Sequence, residues 1–225
     1  DGFFNNGATT QITSAAGDIS ITGATTGTGA GANGVDIDSG ITLVINATNA
    51  ANITITGTGD AADEAVEIES PINSQAGNVT ITAVDGGSTT DDILLGADGD
   101  ILSISGIVRI DGDTAGTTAD VIMADGAVID AGSGTIDIDA DVDVTLGSLV
   151  TTNASATAVS INAIAGGVID GGNDDTDIVA NSGTVVIDAA TGVGSGDAID
   201  TQVDTLDLGN TTSGNVEINE TDDLD

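Results

Sequence analysis

The chain has 225 residues, with 37 Asp plus Glu against a single basic residue, a formal net charge of −36, and neither Cys nor His. Binding to nucleic acid or an anionic membrane face needs cationic surface to displace counterions, so both are excluded as partners, and without thiols there is no disulfide framework or thiolate metal site. Hydrophobic residues nevertheless make up 39% and mean hydropathy is +0.23, more aliphatic content than a disordered acidic tract carries, so the chain is expected to fold.

The first residues hold the only two Phe, Phe3 and Phe4, and residues 1–16 read as an N-terminal cap or docking segment. The two rings would plug the first coil of the domain or serve assembly by docking into the last coil of a neighbour. No cationic n-region opens the chain and no stretch approaches the roughly 18 apolar residues of a membrane span, so a soluble protein is expected. Its acidity fits an extracellular or a halophilic protein, and of these overlapping readings the extracellular location is preferred.

From residue 17 to residue 225 a phrase keeps returning: a small residue, a polar residue, then two aliphatics flanking a variable position. It reads Gly17-Asp18-Ile19-Ser20-Ile21, Ala51-Asn52-Ile53-Thr54-Ile55, Gly77-Asn78-Val79-Thr80-Ile81, Gly106-Ile107-Val108-Arg109-Ile110 and Gly134-Thr135-Ile136-Asp137-Ile138. Val159-Ser160-Ile161 is a weaker copy, followed by Gly183-Thr184-Val185-Val186-Ile187 and Gly214-Asn215-Val216-Glu217-Ile218. The first aliphatics are separated by 34, 26, 29, 28, 23, 26 and 31 residues, an irregular period typical of repeats that bury their apolar faces only against one another. Each phrase alternates at period two and is bounded by Gly, Asn, Asp or Ser, which predicts strands and almost no helix.

Further aliphatic pairs lie between the anchors: Val35 and Ile37, Val66 and Ile68, Ile93 and Leu95, Val121 and Met123, Val142 and Val144. Third groups are Ile41, Leu43 and Ile45, then Ile101 and Ile104, then Val128 and Ile129. Two or three strands per unit of about 28 residues is what one coil of a parallel β-helix requires. The expected fold is all-β, a single-domain β-solenoid of about eight irregular coils spanning 17–225. Immunoglobulin-like sandwiches also alternate, but they repeat at roughly 100 residues and usually bury a central aromatic, whereas Trp and Tyr are absent here. With the anchors in register, Ser20, Thr54, Thr80, Arg109, Asp137, Ser160, Val186 and Glu217 stack in one outward column and Arg109 lies beside Asp137.

Carboxylates are the only plentiful reactive groups. Asp137, Asp139, Asp141 and Asp143 alternate with apolar residues and, on a strand, would share one face. Others gather near turns: Asp60, Asp63 and Glu64; Asp91 and Asp92; Asp98 and Asp100; Asp111 and Asp113; Asp174, Asp175 and Asp177. Bunched hard oxygens suit Ca²⁺, so calcium is the candidate ion, with Asp137, Asp139, Asp141, Asp143, Asp98, Asp100, Asp174, Asp175 and Asp177 as candidate ligands. Neither sharper motif is met. The Asp137 run has Val142 and Ser148 where an EF-hand needs Gly and Glu, and Gly171-Gly172-Asn173-Asp174-Asp175-Thr176-Asp177-Ile178 is an incomplete copy of the calcium-binding nonapeptide repeat. The competing reading is a solvated acidic face.

Enzymatic activity is not expected. Without His, Cys, Lys or Tyr there is no usual nucleophile partner or near-neutral general base. A carboxylate pair could hydrolyse a glycosidic bond, but a surface this negative disfavours an acidic polysaccharide as substrate. Asn-x-Ser/Thr at Asn46, Asn52, Asn78, Asn153, Asn210 and Asn219 is read as coincidence in a Thr- and Ser-rich chain rather than as glycan acceptors. Paired threonines such as Thr54 and Thr56, or Thr80 and Thr82, suggest a flat ice-binding face, but the column breaks at Asp111 and Asp139.

The phrases Ala131-Gly132-Ser133-Gly134-Thr135-Ile136-Asp137-Ile138, Gly166-Gly167-Val168-Ile169-Asp170-Gly171-Gly172 and Thr212-Ser213-Gly214-Asn215-Val216-Glu217-Ile218 resemble repeats of giant secreted bacterial surface proteins, the filamentous-haemagglutinin-like adhesins. The likeness runs from about Gly17 onward. It implies a right-handed β-helical, non-catalytic stalk or fibre outside the cell, used for attachment or matrix. The partners it implies are neighbouring repeats of a longer chain, a surface receptor or a polysaccharide. The alternative expectation is a self-associating filament subunit joined through open solenoid ends, since open strand edges template pairing.

Overall fold

Period-two alternation puts every second side chain on one face, and three short strands per repeat are enough to wrap that face around a shared interior. The computed structural model describes residues 2–5, 10–25, 32–38, 41–45, 49–59, 64–84, 92–112, 118–172, 176–222 and 224, and within this set every regular element is a strand. The chain winds through three strand positions in turn. The first turn holds β1 (Phe3–Asn5), β2 (Thr10–Ser14) and β3 (Ile19–Ala24); the second β4 (Val35–Ile37), β5 (Ile41–Ile45) and β6 (Ile53–Thr58); the third β7 (Val66–Ile68), β8 (Ile72–Ser74) and β9 (Val79–Val84). Next come β10 (Ile93–Leu95), β11 (Ile101–Ser103) and β12 (Val108–Asp111), then β13 (Val121–Met123), β14 (Val128–Asp130) and β15 (Ile136–Ala140), then β16 (Val144–Leu146), β17 (Ser148–Val150) and β18 (Val159–Ala163). The last strands are β19 (Val168–Asp170), β20 (Ile178–Ala189), β21 (Ile199–Asn210) and β22 (Ile218–Glu220).

All pairing is parallel between equivalent strands of successive turns. One sheet runs β1-β4-β7-β10-β13-β16-β19, while the other two positions form separate ladders that merge at the long strand β20. This is a β-solenoid-like arrangement. Its interior is a set of aliphatic columns: Ile21, Ile55, Ile81, Ile110, Ile138, Ile161 and Ile187 are consecutive register partners and all are buried. Burying an Ile in such a column contributes about 1.5–3 kcal/mol, so the columns and the ladder hydrogen bonds hold the turns together without an aromatic core.

Corner chemistry explains the rest of the phrase. A Cβ at Gly106 would collide with the Gly77 carbonyl of the turn before, and one at Gly134 with the Gly106 carbonyl, so the phrase opens on Gly where backbones touch at the corner. Just upstream, Ser74 Oγ donates to the Gly77 carbonyl at 2.7 Å and Ser103 Oγ accepts the Gly106 N–H at 2.9 Å.

The outward column runs Ser20, Thr54, Thr80, Arg109, Asp137, Ser160 and Val186 as expected, but its last member is Asp207, not Glu217. Strands β20 and β21 continue through a corner for 12 residues each, with a register shift between Ala180 and Thr184, which shortens that turn and moves the Gly214 phrase to other columns. Val216 bridges Val193, and Ile218 pairs with Ile199. Two aliphatics expected in strands lie in corners. Ile104 follows the end of β11 and is 60% exposed, and Val142 sits between β15 and β16.

Candidate functional site

Most of the described carboxylates have a structural task that the period-two reading cannot reveal. At the corner before the first strand position, the Asp120 N–H donates to Asp92 Oδ1 (2.9 Å), the Asp143 N–H to Asp120 Oδ1 (2.8 Å) and the Gly167 N–H to Asp143 Oδ1 (2.6 Å). At the corner before the third position, the Asn52 N–H donates to Asp18 Oδ1, the Asn78 N–H to Asn52 Oδ1 and the Ile107 N–H to Asn78 Oδ1. The ladder stops at Ile107 because that side chain offers no acceptor. These side chains satisfy backbone donors that the corner takes out of the strand ladder, the same service an N-cap gives a helix. The polar residue of the phrase is thus an acceptor serving the neighbouring turn.

The candidate ligands therefore separate. Strand β15 ends at Ala140, so Asp137 and Asp139 share an outward face while Asp141 and Asp143 lie beyond it in the corner. Arg109 takes the first two: it contacts Asp137, Asp139 Oδ2 at 2.9 Å and Asp111 Oδ2 at 3.3 Å. Burial works against the Arg109 charge, and the three carboxylates more than offset this and raise its pKa. Burial, and next the Asp139 charge, still push Asp137 above the usual carboxylate range despite Arg109. Asp98 is exposed in the turn after β10, whereas Asp100 Oδ1 accepts the Val128 N–H at 3.0 Å, so the two serve different ends. Asp174 and Asp175 lie outside the described residues, as do Asp60, Asp63, Asp91 and Asp113. Among the described residues, no three His, Cys, Asp or Glu side chains are grouped so as to hold a metal.

Asp177 is the most buried of the described candidates, at 4% exposure. Its Oδ2 accepts the Asp200 N–H at 2.7 Å, and its carboxyl is hydrogen-bonded to Asp170, whose Oδ1 accepts the Gly172 N–H at 2.8 Å. Burial is the main cause that lifts Asp177 to about 7; the charges of Asp170 and Asp200 and the bond to Asp170 add to it, against the Asp200 N–H. Burial likewise raises Asp170. Asp177 lines a cavity of about 40 Å³ with Asp125, Ser148 and Gly172 among others, room for a water molecule rather than a substrate.

Phe3 is half-buried against the core and pairs with Val35, and β1 and β2 pair in parallel with β4 and β5. Phe4 pairs with Asp36 through its backbone, and its side chain lies outside the described residues. Sequence reasoning missed a further group at the start of the first sheet: Asn33, Asp36 and Glu67. Asp36 and Glu67 are register partners, and the Asn33 Nδ2 donates to Glu67 Oε2. The residue signal was present, since Val35-Asp36-Ile37 and Val66-Glu67-Ile68 are both aliphatic pairs around an acid. The Ser-x-x-Gly spacing at Ser14, Ser74 and Ser103 was equally visible as a corner signature.

No family model, curated protein or solved structure matches the chain.

Proposed function

We propose that this chain is a non-enzymatic structural segment of an extracellular bacterial surface adhesin or matrix protein: a single-domain, right-handed β-helix of about eight coils serving as stalk or fibre, with calcium as its candidate ion. The observation that carries this reading is the use of the polar groups. The Asp and Asn side chains of the corners accept backbone N–H groups of the next turn, and Arg109 is held by three carboxylates, so the residues with chemical potential build the rod. Aliphatic columns running from β3 to β21 support a rod whose attachment partner, a receptor or a polysaccharide, belongs to other repeats of the same polypeptide.

A second reading, a filament subunit joined head to tail, is favoured by β21. No described strand covers the outer edge of Thr205–Asn210, and Leu206 and Leu208 are only partly buried there. Beyond β21, Val216 and β22 occupy two of the three strand positions.

Negative-stain electron microscopy of the purified protein, once with calcium and once after chelation, separates these readings. Isolated short rods in both samples are expected for a stalk segment. Long uniform fibres with calcium only would establish the filament subunit, and globular particles would overturn both.

A further inference from the structure

Asp36 on β4 and Glu67 on β7 are Cα partners in a parallel ladder and point outward from neighbouring turns about 4.8 Å apart. Two carboxylates at that spacing call for a cation, and the chain cannot provide one. Its one basic residue is Arg109, already held by Asp111, Asp137 and Asp139. On the far side of Glu67 the column continues with Leu94. Burial is the chief cause that raises Asp36 to about 6, followed by the charges of Glu67, Asp38, Glu69 and Glu64.

A separate observation points to a ligand. Asn33 is 3% exposed, and its Nδ2 donates to Glu67 Oε2, which fixes the amide head against the Glu67 carboxylate. Its Oδ1 is sealed from solvent and has no hydrogen-bond donor among the described residues. A buried amide oxygen left without a donor is destabilising, and native structures rarely tolerate one unless an ion or water answers it. One species would satisfy the amide oxygen and both carboxylates together: a hard divalent cation that binds oxygens only.

We propose that Asn33 Oδ1, Asp36 and Glu67 bind one Ca²⁺ ion at the step between β4 and β7, with water completing the shell. Ca²⁺ takes six to eight oxygens in flexible geometry, including amide oxygens, whereas Mg²⁺ demands near-octahedral placement and gives up water reluctantly. A sealed Oδ1 must be reached by an ion that has shed water on that side, which selects Ca²⁺. The site is independent of the candidate ligands at Asp137–Asp143 and of the stalk reading.

The test is isothermal titration of the whole chain with CaCl₂ and, separately, MgCl₂, for the wild type and for Glu67→Gln, Asp36→Asn, Asn33→Ala and the control Asp188→Asn, an exposed position on β20. The wild type and Asp188→Asn should show the same tightest Ca²⁺ site, with Mg²⁺ at least tenfold weaker. Glu67→Gln and Asp36→Asn should each weaken that site tenfold or more, and Asn33→Ala by a smaller factor. Thermal melts in chelator keep the result interpretable: Glu67→Gln relieves the carboxylate repulsion and should melt no lower than wild type. Calcium should raise the wild-type melting temperature and leave that of Glu67→Gln nearly unchanged. A tightest site that is unaltered in Glu67→Gln and Asp36→Asn, or a wild type that binds no calcium at millimolar concentration, overturns the proposal. Rods seen by microscopy would be untouched by either result.

Discussion

The backbone N–H of Asp143 donates to Oδ1 of Asp120, one turn earlier, at 2.8 Å, and Asp143 Oδ1 repeats the same bond to Gly167 at 2.6 Å. Removing the acceptor leaves a corner N–H unpaired, which costs about 1–3 kcal/mol. Asp120→Ala should therefore lower the urea midpoint accordingly at unchanged m-value. Asp120→Asn keeps an acceptor and removes a carboxylate whose pKa is raised by burial and by the Asp143 charge, against the Asp143 N–H that favours ionisation. It should lie within about 0.5 kcal/mol of wild type at pH 7, as the Asn52 and Asn78 ladder already shows that the amide serves.

Gly106 packs directly on the Gly77 carbonyl, with no room for a methyl group. Gly106→Ala must push two backbones apart at a corner that Ser103 also ties down, a strain of about 1–3 kcal/mol. Thermal denaturation by circular dichroism should show a lower midpoint, while Ser105→Ala, at the exposed neighbouring position, should leave it nearly unchanged.

Arg109 is 38% exposed at its side chain, so its ion pairs are screened. Arg109→Gln should cost about 1 kcal/mol at pH 7 and low salt. Because the guanidinium favours the ionised form of Asp137, which burial and the Asp139 charge push the other way, the loss should shrink as Asp137 takes up its proton at low pH, and it should shrink in 1 M NaCl. Denaturant titrations at pH 7 and pH 3 check both dependences.

Asp177 carries its carboxyl at about 7 in the folded chain against an ordinary 3.8. The folded state holds this proton more tightly than the unfolded state, so the favourable contribution is complete below about 3.8 and disappears as pH rises through about 7. Stability should fall across that window and level off above it, and Asp36, raised to about 6, adds to the same slope. Asp177→Asn keeps an acceptor for Asp200 and a donor for Asp170. It should flatten the slope and stabilise the protein at pH 8 by a few kcal/mol in denaturant titrations, since each tenfold difference in proton affinity between the folded and unfolded chain corresponds to about 1.4 kcal/mol.

Much of the architecture was legible in the chain. Alternation at Ile53-Thr54-Ile55 and its copies is a local property, so strand positions, the buried face and the neighbours Arg109 and Asp137 follow once the copies are stacked. What escaped was the corner. Asp143 looked like the fourth member of an acidic strand face, but β15 ends at Ala140 and turns Asp143 toward the next turn's backbone. Glu217 looked like the end of the outward column, but β20 and β21 run on through a corner and place Asp207 there.

The sequence by itself determined which residues within each strand face inward, because the two-residue period of an extended chain belongs to each segment alone. Only the tertiary structure decided which carboxylate meets which N–H, why Gly106 cannot carry a methyl group, and that Asp36, Glu67 and Asn33 come together. Those relations join residues about one turn apart through corners of variable length, and nothing local in the chain measures how a corner aligns one turn upon the next.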